Sequence, residues 1–478
     1  MTNQTLTNIY YKTPPALQNV LISAYRYARK PFEYGHDFRR WRSLLDESQN
    51  WSLAELENWQ LERLQALLQY VYADVPGYRQ LYRDVNITPR DIRSLEDMWK
   101  LPIVSKQHIR ENRALFTSSS AKSFKPVELN TSGTTGTPFQ FLSTRETEAI
   151  EWAFNWRHKS WGGARLWEPM FSLGGKIIVP LSQQNPPFWR TNRAENMIWL
   201  SAFHMTQQNL DLYVDYISKA NVRFIKGYPS NLSILAHHLR GRNARLPMKA
   251  VFTGSEPLLA HARELIEDRF CCKVFDWYGV SERVVTASQC SVHNNYHVHM
   301  ENCVVEVVQK DSVVSKGTLG EIVGTCLSNY AMPLIRYRTG DLSSLSSEPC
   351  PCGRGLMTIS QVQTKWEHLL FTEDGRWISP SVLTHPFKPV KGVRRSQIIQ
   401  ESLGELRIKV VGEPDFGTQQ QALLIDGFKE RLGESVKITI DMVDDIPNDP
   451  SGKFRWVISK VPMEANRMLD HTFGSGIQ

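Results

Sequence analysis

This chain of 478 residues lacks most of the features that commit a protein to a special environment. No apolar run approaches the roughly 20 residues a membrane helix needs, so an integral membrane protein is not expected. The first residues, MTNQTLTNIYYKTPPALQNVLISAYRYARKPF, do not follow the charged-then-apolar layout of a secretory signal. The expected location is therefore cytoplasmic. Cysteine is sparse and odd in number, seven in all, which argues against a secreted disulfide scaffold. Charge of one sign is in only mild excess, at +7. That suits a solvated surface or an anionic ligand and does not require nucleic acid. No aromatic-basic stacking motif or groove-reading element is visible, so nucleic-acid binding is not expected. Internal repeats and low-complexity tracts are missing too.

What is present reads as a globular protein of two or three domains, 41% apolar and 22% charged. The first 125 residues read as mostly helical. Residues 16–30 form a basic amphipathic segment. A membrane surface is one reading, and an ordinary helix packed on the core is the favoured one. Ser52 with Glu55 forms a capping box, and Leu53, Leu56, Leu64, Leu67 and Val71 follow at helical period. From about 125 to 330 strands and helices alternate. FIKG (224–227), KAVFTG (249–254) and KVFDWYG (273–279) read as strands, with helices between them. The expected class is α/β: parallel sheets with helices, then a β-rich subdomain. Residues 1–366 are taken as the large N-terminal domain. Residues 367–478, with three strands and one helix, are taken as a small α+β domain.

Four stretches invite chemistry. TSGTTGTP (131–138) is rich in small hydroxyls and glycine, which suits a phosphate nest. It is not a Walker loop, because the glycines are too close and no lysine follows. FDWYGVSE (275–282) places an aromatic, a glycine and a carboxylate at a strand end, where a base and Mg²⁺ can be met. MPLIRYRTGDL (332–342) sets an aspartate after a strand, as ribose-binding folds do. IPNDPSGKFR (446–455) carries Lys453 on a tight turn, suited to neutralising charge in a displacement. Each has an ordinary alternative: a Ser/Thr turn, a solvated glutamate, an Arg–Asp surface pair, a solvated lysine. Cys290, His297, Cys350 and Cys352 are a candidate Cys₃His zinc set, beside His293 and His299. Reduced cysteines and a solvated histidine cluster are the alternative.

In order and spacing, these stretches resemble the adenylate-forming acyl- and aryl-CoA synthetase superfamily. The similarity is to its phenylacetate–CoA ligase-like branch, which includes proteins linked to capsular polysaccharide synthesis. VPGYRQLY, SLEDMWKLPIVSK, SAFHM, KGYPSNL, TGSEPL and CPCGRG extend it from about residue 75 to the end. The resemblance implies activation of a small carboxylic acid by ATP and Mg²⁺ as an acyl-adenylate, with pyrophosphate released. Transfer to CoA follows, or to a carrier thiol or a sugar amine or hydroxyl. By position, Thr131, Ser132, Gly133, Thr134, Thr135, Gly136 and Thr137 would hold ATP phosphates. Gly254, Ser255 and Glu256 would line the adenine pocket, with Tyr278 stacked on the base, Gly279 beside it and Asp276 at the adenine amine. Glu282 would hold Mg²⁺ and Asp341 the ribose. Lys453 and Thr134 would act on the transferring phosphate, and the C-terminal domain would rotate between half-reactions.

The resemblance also implies a structural zinc on Cys290, His297, Cys350 and Cys352 and, by analogy alone, a homodimer. The acid pocket is expected among residues 150–300, including EWAFNWRHKSWGGARLW and SAFHM; His204 is either a lining residue or a packed one. One departure stands out. Gln363 and Thr364 replace the family's Gly-Arg pair, Glu367 replaces the hinge acid, and Lys365 is a substitute one residue out of register. A non-catalytic nucleotide-binding partner in a glycan assembly complex is the competing reading.

Overall fold

The computed structural model describes residues 9–131, 139–174, 176, 178–180, 182–206, 208–292, 295–363, 370–371, 377–378, 383, 385–387, 389–447 and 455–461. The chain divides into two compact units. The first holds residues up to Thr339 and Ser343–Val362, and the second holds Gly340–Leu342 and everything from Gln363. No described helix is long and apolar enough to cross a membrane.

Four helices open the first unit: α1 (Pro15–Glu33), α2 (His36–Ser48), α3 (Leu53–Asp74) and α4 (Pro76–Asp84). The capping box of α3 forms as the sequence predicts, with the Glu55 amide donating to Ser52 Oγ and the Ser52 amide to Glu55 Oε2. Leu56, Leu64, Leu67 and Val71 are buried, while Leu53 stays exposed.

Helix α1 packs against the rest of the unit, but by its polar side. Gln18, Ile22 and Arg26 point inward, whereas Leu17, Val20, Leu21, Tyr25, Tyr27 and Phe32 are exposed. The expected helix packed on the core is present, but its packed face is polar and its larger apolar side chains stay exposed. The reason is the partner surface. Gln18 Oε1 accepts from the Arg190 guanidinium, Asn19 Oδ1 from the Thr191 amide, and Arg26 binds Glu195.

Strands β1 (Pro126–Thr131) and β2 (Phe139–Thr144) pair antiparallel and lead into helix α5 (Arg145–Trp161). The chain then lays down β3 (Met170–Leu173), β4 (Trp189–Asn192), β5 (Met197–Leu200), β6 (Phe224–Gly227), β7 (Ala250–Gly254), β8 (Val274–Gly279), β9 (Thr286–Gln289) and β10 (Tyr296–Val298). Helices α6 (Leu210–Lys219), α7 (Pro229–Gly241) and α8 (Ala260–Phe270) are the crossovers. After β11 (Cys303–Gln309), β12 (Ser312–Val313), β13 (Gly320–Cys326) and β14 (Tyr337–Ser343) comes β15 (Thr358–Ile359).

Nine strands form one sheet, in the order β15-β10-β9-β8-β7-β6-β3-β5-β4. Its centre, β5-β3-β6-β7-β8, is parallel throughout. Such strands are buried on both faces, and β7 reads AVFTG accordingly. Parallel pairing puts the carboxyl ends of all five on one edge, the edge where open α/β sheets bind ligands. A second sheet, β12-β11-β13-β14, is the β-rich subdomain.

In the second unit, β16 (Leu370–Phe371) and β17 (Trp377–Ile378) pair with each other. Strands β18 (Val393–Ser402), β19 (Glu405–Gly412), β20 (Lys437–Met442) and β21 (Val457–Ser459) form a sheet in the order β20-β19-β18-β21. Helix α9 (Thr418–Leu432) buries Leu424 and Phe428 in the core with Ile398, Leu406 and Ile408. This is the expected small α+β arrangement.

Candidate functional site

The carboxyl ends of β7 and β8 carry the GSE and YGVSE motifs side by side, with Gly254 opposite Trp277 in the ladder. A Cβ on Gly254 would sit 3.1 Å from the Trp277 carbonyl, and one on Gly279 would sit 3.0 Å from Trp277 Nε1. Glycine at 254 lets β7 and β8 approach closely there, and glycine at 279 leaves room for the Trp277 ring. Ser255 follows at φ +70° and Arg283 at φ +63°. Left-handed backbone in non-glycine residues marks places where the surroundings over-determine the chain, and these gather at functional sites. Arg283 is fastened by Glu151 at 3.1 Å and Glu148 at 3.2 Å, both on α5. Its neighbour Glu282 is buried and accepts from Tyr337 Oη at 3.0 Å. Burial and this carboxylate raise the Tyr337 phenol above its usual range. Glu282 is therefore held in a set orientation with its second oxygen left over from that bond.

Asp276 lies deeper than its motif suggests. Thr253 Oγ1 and Tyr296 Oη each donate to it at 2.5 Å, one to each carboxylate oxygen. Burial raises its acid range, with the two hydroxyls opposing. The residue ties β7, β8 and β10 together, and Tyr278, half-buried, follows it on β8. Asp341 is buried on β14. The neighbouring arginines do not pair with it: Arg336 binds Glu306 in two bonds of 2.9 Å, and Arg338 binds Glu321 and Asp311. Gln363 pairs with Leu342 in an isolated bridge. Thr131 closes β1 in its backbone. Ser132, Gly133, Thr134, Thr135, Gly136, Thr137, Thr364, Lys365, Glu367, His293 and Lys453 lie outside the described residues.

The four candidate zinc ligands converge from distant parts of the first unit. Cys290 follows β9, His297 is on β10, and Cys350 and Cys352 come from the turn before β15. Their ligand atoms all lie within 4.8 Å of one another. Cys290 Sγ and Cys350 Sγ are 3.7 Å apart, and Cys352 Sγ is 3.5 Å from His297 Nε2. Tetrahedral zinc with Zn–S of about 2.3 Å and Zn–N of about 2.0 Å requires S···S edges near 3.8 Å and S···N edges near 3.5 Å. The donor set and its spacing fit the ion. His299 does not join it; its Nε2 meets Ser288 Oγ at 2.9 Å, and its ring stacks on Phe154.

Beside the motifs, at the carboxyl ends of β3, β5 and β6, lies a cavity of about 170 Å³. Trp152 and Trp156 of α5, Trp199 of β5 and Tyr228 after β6 give it aromatic walls. Trp152, Trp156 and Lys159 of the tryptophan-rich stretch thus line a cavity. His204 does not: it is buried, stacked on Phe188 with ring centroids 4.8 Å apart, and bonded to Ser201 Oγ at 2.7 Å. Sequence reading missed Arg26 and Glu195, whose salt bridge borders this cavity. The available signal was an arginine and a glutamine on α1 one turn either side of Ile22, outside the apolar stripe.

Comparison with known proteins agrees with this architecture. The family described as the CapK C-terminal domain matches residues 370–460. Protein CapK of Staphylococcus aureus is 24% identical over 466 residues, covering 95% of this chain and 100% of that protein. A phenylacetate-coenzyme A ligase of Thermus thermophilus is 26% identical over 430 residues, covering 84% and 95% of the two chains. Among solved structures, 2-hydroxyisobutyryl-CoA ligase in the postadenylation state with 2-HIB-AMP superposes with a TM-score of 0.66 at 18% identity. That match covers 90% of this chain and 94% of the other. The fold is the one that 2-hydroxyisobutyryl-CoA ligase adopts. In sequence, the curated relatives this chain resembles are CapK and phenylacetate–CoA ligases.

Proposed function

We propose that this protein activates a small carboxylic acid with ATP and Mg²⁺ as an acyl-adenylate and then passes the acyl group to CoA. The observation that carries this reading is the meeting of GSE and YGVSE at adjacent carboxyl ends of the parallel sheet, with buried Glu282 oriented beside them. In this reading the acid's carboxylate attacks the α-phosphorus of ATP, the P–O bond to pyrophosphate breaks, and pyrophosphate leaves. Gly254, Ser255 and Glu256 border the base, Tyr278 stacks on it, and Gly279 leaves room for its approach. Asp276 holds the two strand ends in register and, with one further acceptor site on each oxygen, meets the adenine amine. Asp341 takes the ribose hydroxyls. Glu282 would hold Mg²⁺, which supplies charge neutralisation for the phosphates. Residues Thr131–Thr137 cradle phosphate, and Lys453 neutralises charge that develops in the displacement.

A zinc ion held by Cys290, His297, Cys350 and Cys352 would be structural, since four protein donors leave no open position. CoA as acceptor is supported by the names of the ligase relatives. A sugar-borne or carrier-borne acceptor is the finer alternative within the same chemistry. The test is pyrophosphate release with ATP and Mg²⁺ across a panel of acids, with and without CoA. Acid-dependent release is expected. Silence across the panel with ATP still bound would favour a non-catalytic nucleotide-binding partner instead.

A further inference from the structure

The cavity beside β3, β5 and β6 is out of charge balance. Four cationic side chains reach it: Arg26 of α1, Lys159 of α5, Lys176, and Lys226 near the end of β6. One carboxylate borders it, Glu195. That carboxylate is already taken. Arg26 donates to it from Nε at 3.0 Å and Nη2 at 2.5 Å, and Asn192 Nδ2 donates at 2.6 Å. Glu33, the other acid near Arg26, is held by Arg26 and Arg29.

Lys159, Lys176 and Lys226 make no ion pair among the described residues. Lys159 Nζ sits over the Trp156 ring at 4.2 Å, and Lys176 Nζ over Trp199 at 5.6 Å. Burial first, then repulsion from neighbouring cations, pushes all three below the usual lysine range, Lys226 to about 8, with Glu195 opposing in each case. Lys159 is buried, Lys226 half-buried and Lys176 at the open rim, and the three share one carboxylate, Glu195, that Arg26 already holds. Such an excess of cations in a partly dry cavity is costly to keep. The cost is removed when an anion from outside enters.

We infer that this cavity binds the far end of an acid that carries a second anionic group, a carboxylate or a phosphate ester, gripped by Lys226, Lys159 and Lys176 between aromatic walls. The inference rests on the ligase reading for which end reacts. The gripped group is not the reacting carboxylate. An oxygen surrounded by three ammoniums is a poor nucleophile, and the reacting end belongs at β7 and β8, further along the same sheet edge. The volume is near the roughly 150 Å³ that encloses one benzene, so the acid is small. Trp152, Trp156 and Trp199 offer flat faces to a ring or a short chain.

The same tryptophans report binding without turnover. The probes are glutarate against its monomethyl ester, and isophthalate against its monomethyl ester, titrated by tryptophan fluorescence and calorimetry. At least one dianion is expected to bind tenfold or more tightly than its half-ester. That ratio should fall toward one in both Lys226→Met and Lys159→Met, each checked for native circular dichroism. Lys176→Met, at the accessible rim, serves where a buried variant does not fold. Half-esters that bind as well as the diacids, no binding of either dianion at millimolar concentration, or a ratio that survives the lysine variants would overturn the inference. Pyrophosphate exchange with the acid panel judges the ligase reading separately. Lysine-dependent dianion binding without exchange sinks that reading and keeps the anion site; exchange with monoacids and no dianion binding does the reverse.

Discussion

Cys290 and Cys350 are 60 residues apart in the chain, and their sulfurs lie 3.7 Å apart. That is far beyond a disulfide bond of about 2.05 Å and matches one edge of a zinc tetrahedron. Purified protein should carry about one zinc per chain by elemental analysis. Cys350→Ser with Cys352→Ser should lose it and melt on the order of 10 °C lower. Fully folded, metal-free protein would remove zinc from the account.

Glu282 is buried with one bond from Tyr337. Glu282→Gln keeps an acceptor for that hydroxyl and removes the charge proposed to hold Mg²⁺. Adenylation should fall by about 100-fold or more with the melting curve little changed. Tyr337→Phe removes only the orienting bond and should cost about fivefold. A glutamine variant with full activity would take Glu282 out of the metal site.

Lys453→Ala should abolish acid-dependent pyrophosphate release while calorimetry still finds ATP bound. Release at the original rate by this variant would dismiss Lys453 from the displacement.

Lys226 faces Lys159 of α5, Lys176, and the Arg26–Glu195 pair. Its range falls from 10.5 to about 8, first by burial. Between those values the unfolded chain binds more protons than the folded one, so stability rises with pH there; below pH 8 the full penalty is present. Lys226→Met should therefore be more stable than the parent at pH 7, by about 1–3 kcal/mol. The gap should shrink as pH climbs from 8 to 10.5. Denaturant unfolding at pH 7 and pH 10 measures it, and a gap that widens with pH contradicts the assignment.

Arg157 of α5 and Glu301 are both fully buried and form two bonds, of 2.5 and 3.2 Å. Ser48 of α2 donates to the same carboxylate at 2.6 Å. Removing one partner leaves a buried charge alone, so Arg157→Met or Glu301→Gln should each cost about 3–5 kcal/mol. The double variant should cost less than the sum, as a double-mutant cycle would show. Additive losses would mean the pair is not coupled.

Local order was legible because its causes are local. The Ser52–Glu55 capping box marks the start of α3 within four residues, and the helix begins there. FIKG, AVFTG and VFDWYG announce buried parallel strands by composition, and Gly254 and Gly279 mark their ends. The alternation of strand and helix led to a doubly wound sheet, and the order of motifs to a ligase class.

Other features depended on partners distant in the chain. The segment 16–30 reads as an amphipathic helix packed on the core, and it packs, yet Leu17, Val20 and Leu21 stay exposed, because the surface beneath α1 offers Arg190, Thr191 and Glu195. Asp276 reads as a ligand contact, and the fold adds a bond from Thr253 to one of its oxygens and from Tyr296 to the other. Lys159, Lys176 and Lys226 are three unremarkable lysines until the sheet edge brings them around one cavity. Sequence by itself determined the elements and their order and pointed to the proposed chemistry, since helical period, strand composition and motif order are properties of neighbouring residues. Tertiary structure alone decided which polar groups spend their bonds on each other and which remain for a ligand, because burial and charge balance are set by residues from 20 to 169 positions apart.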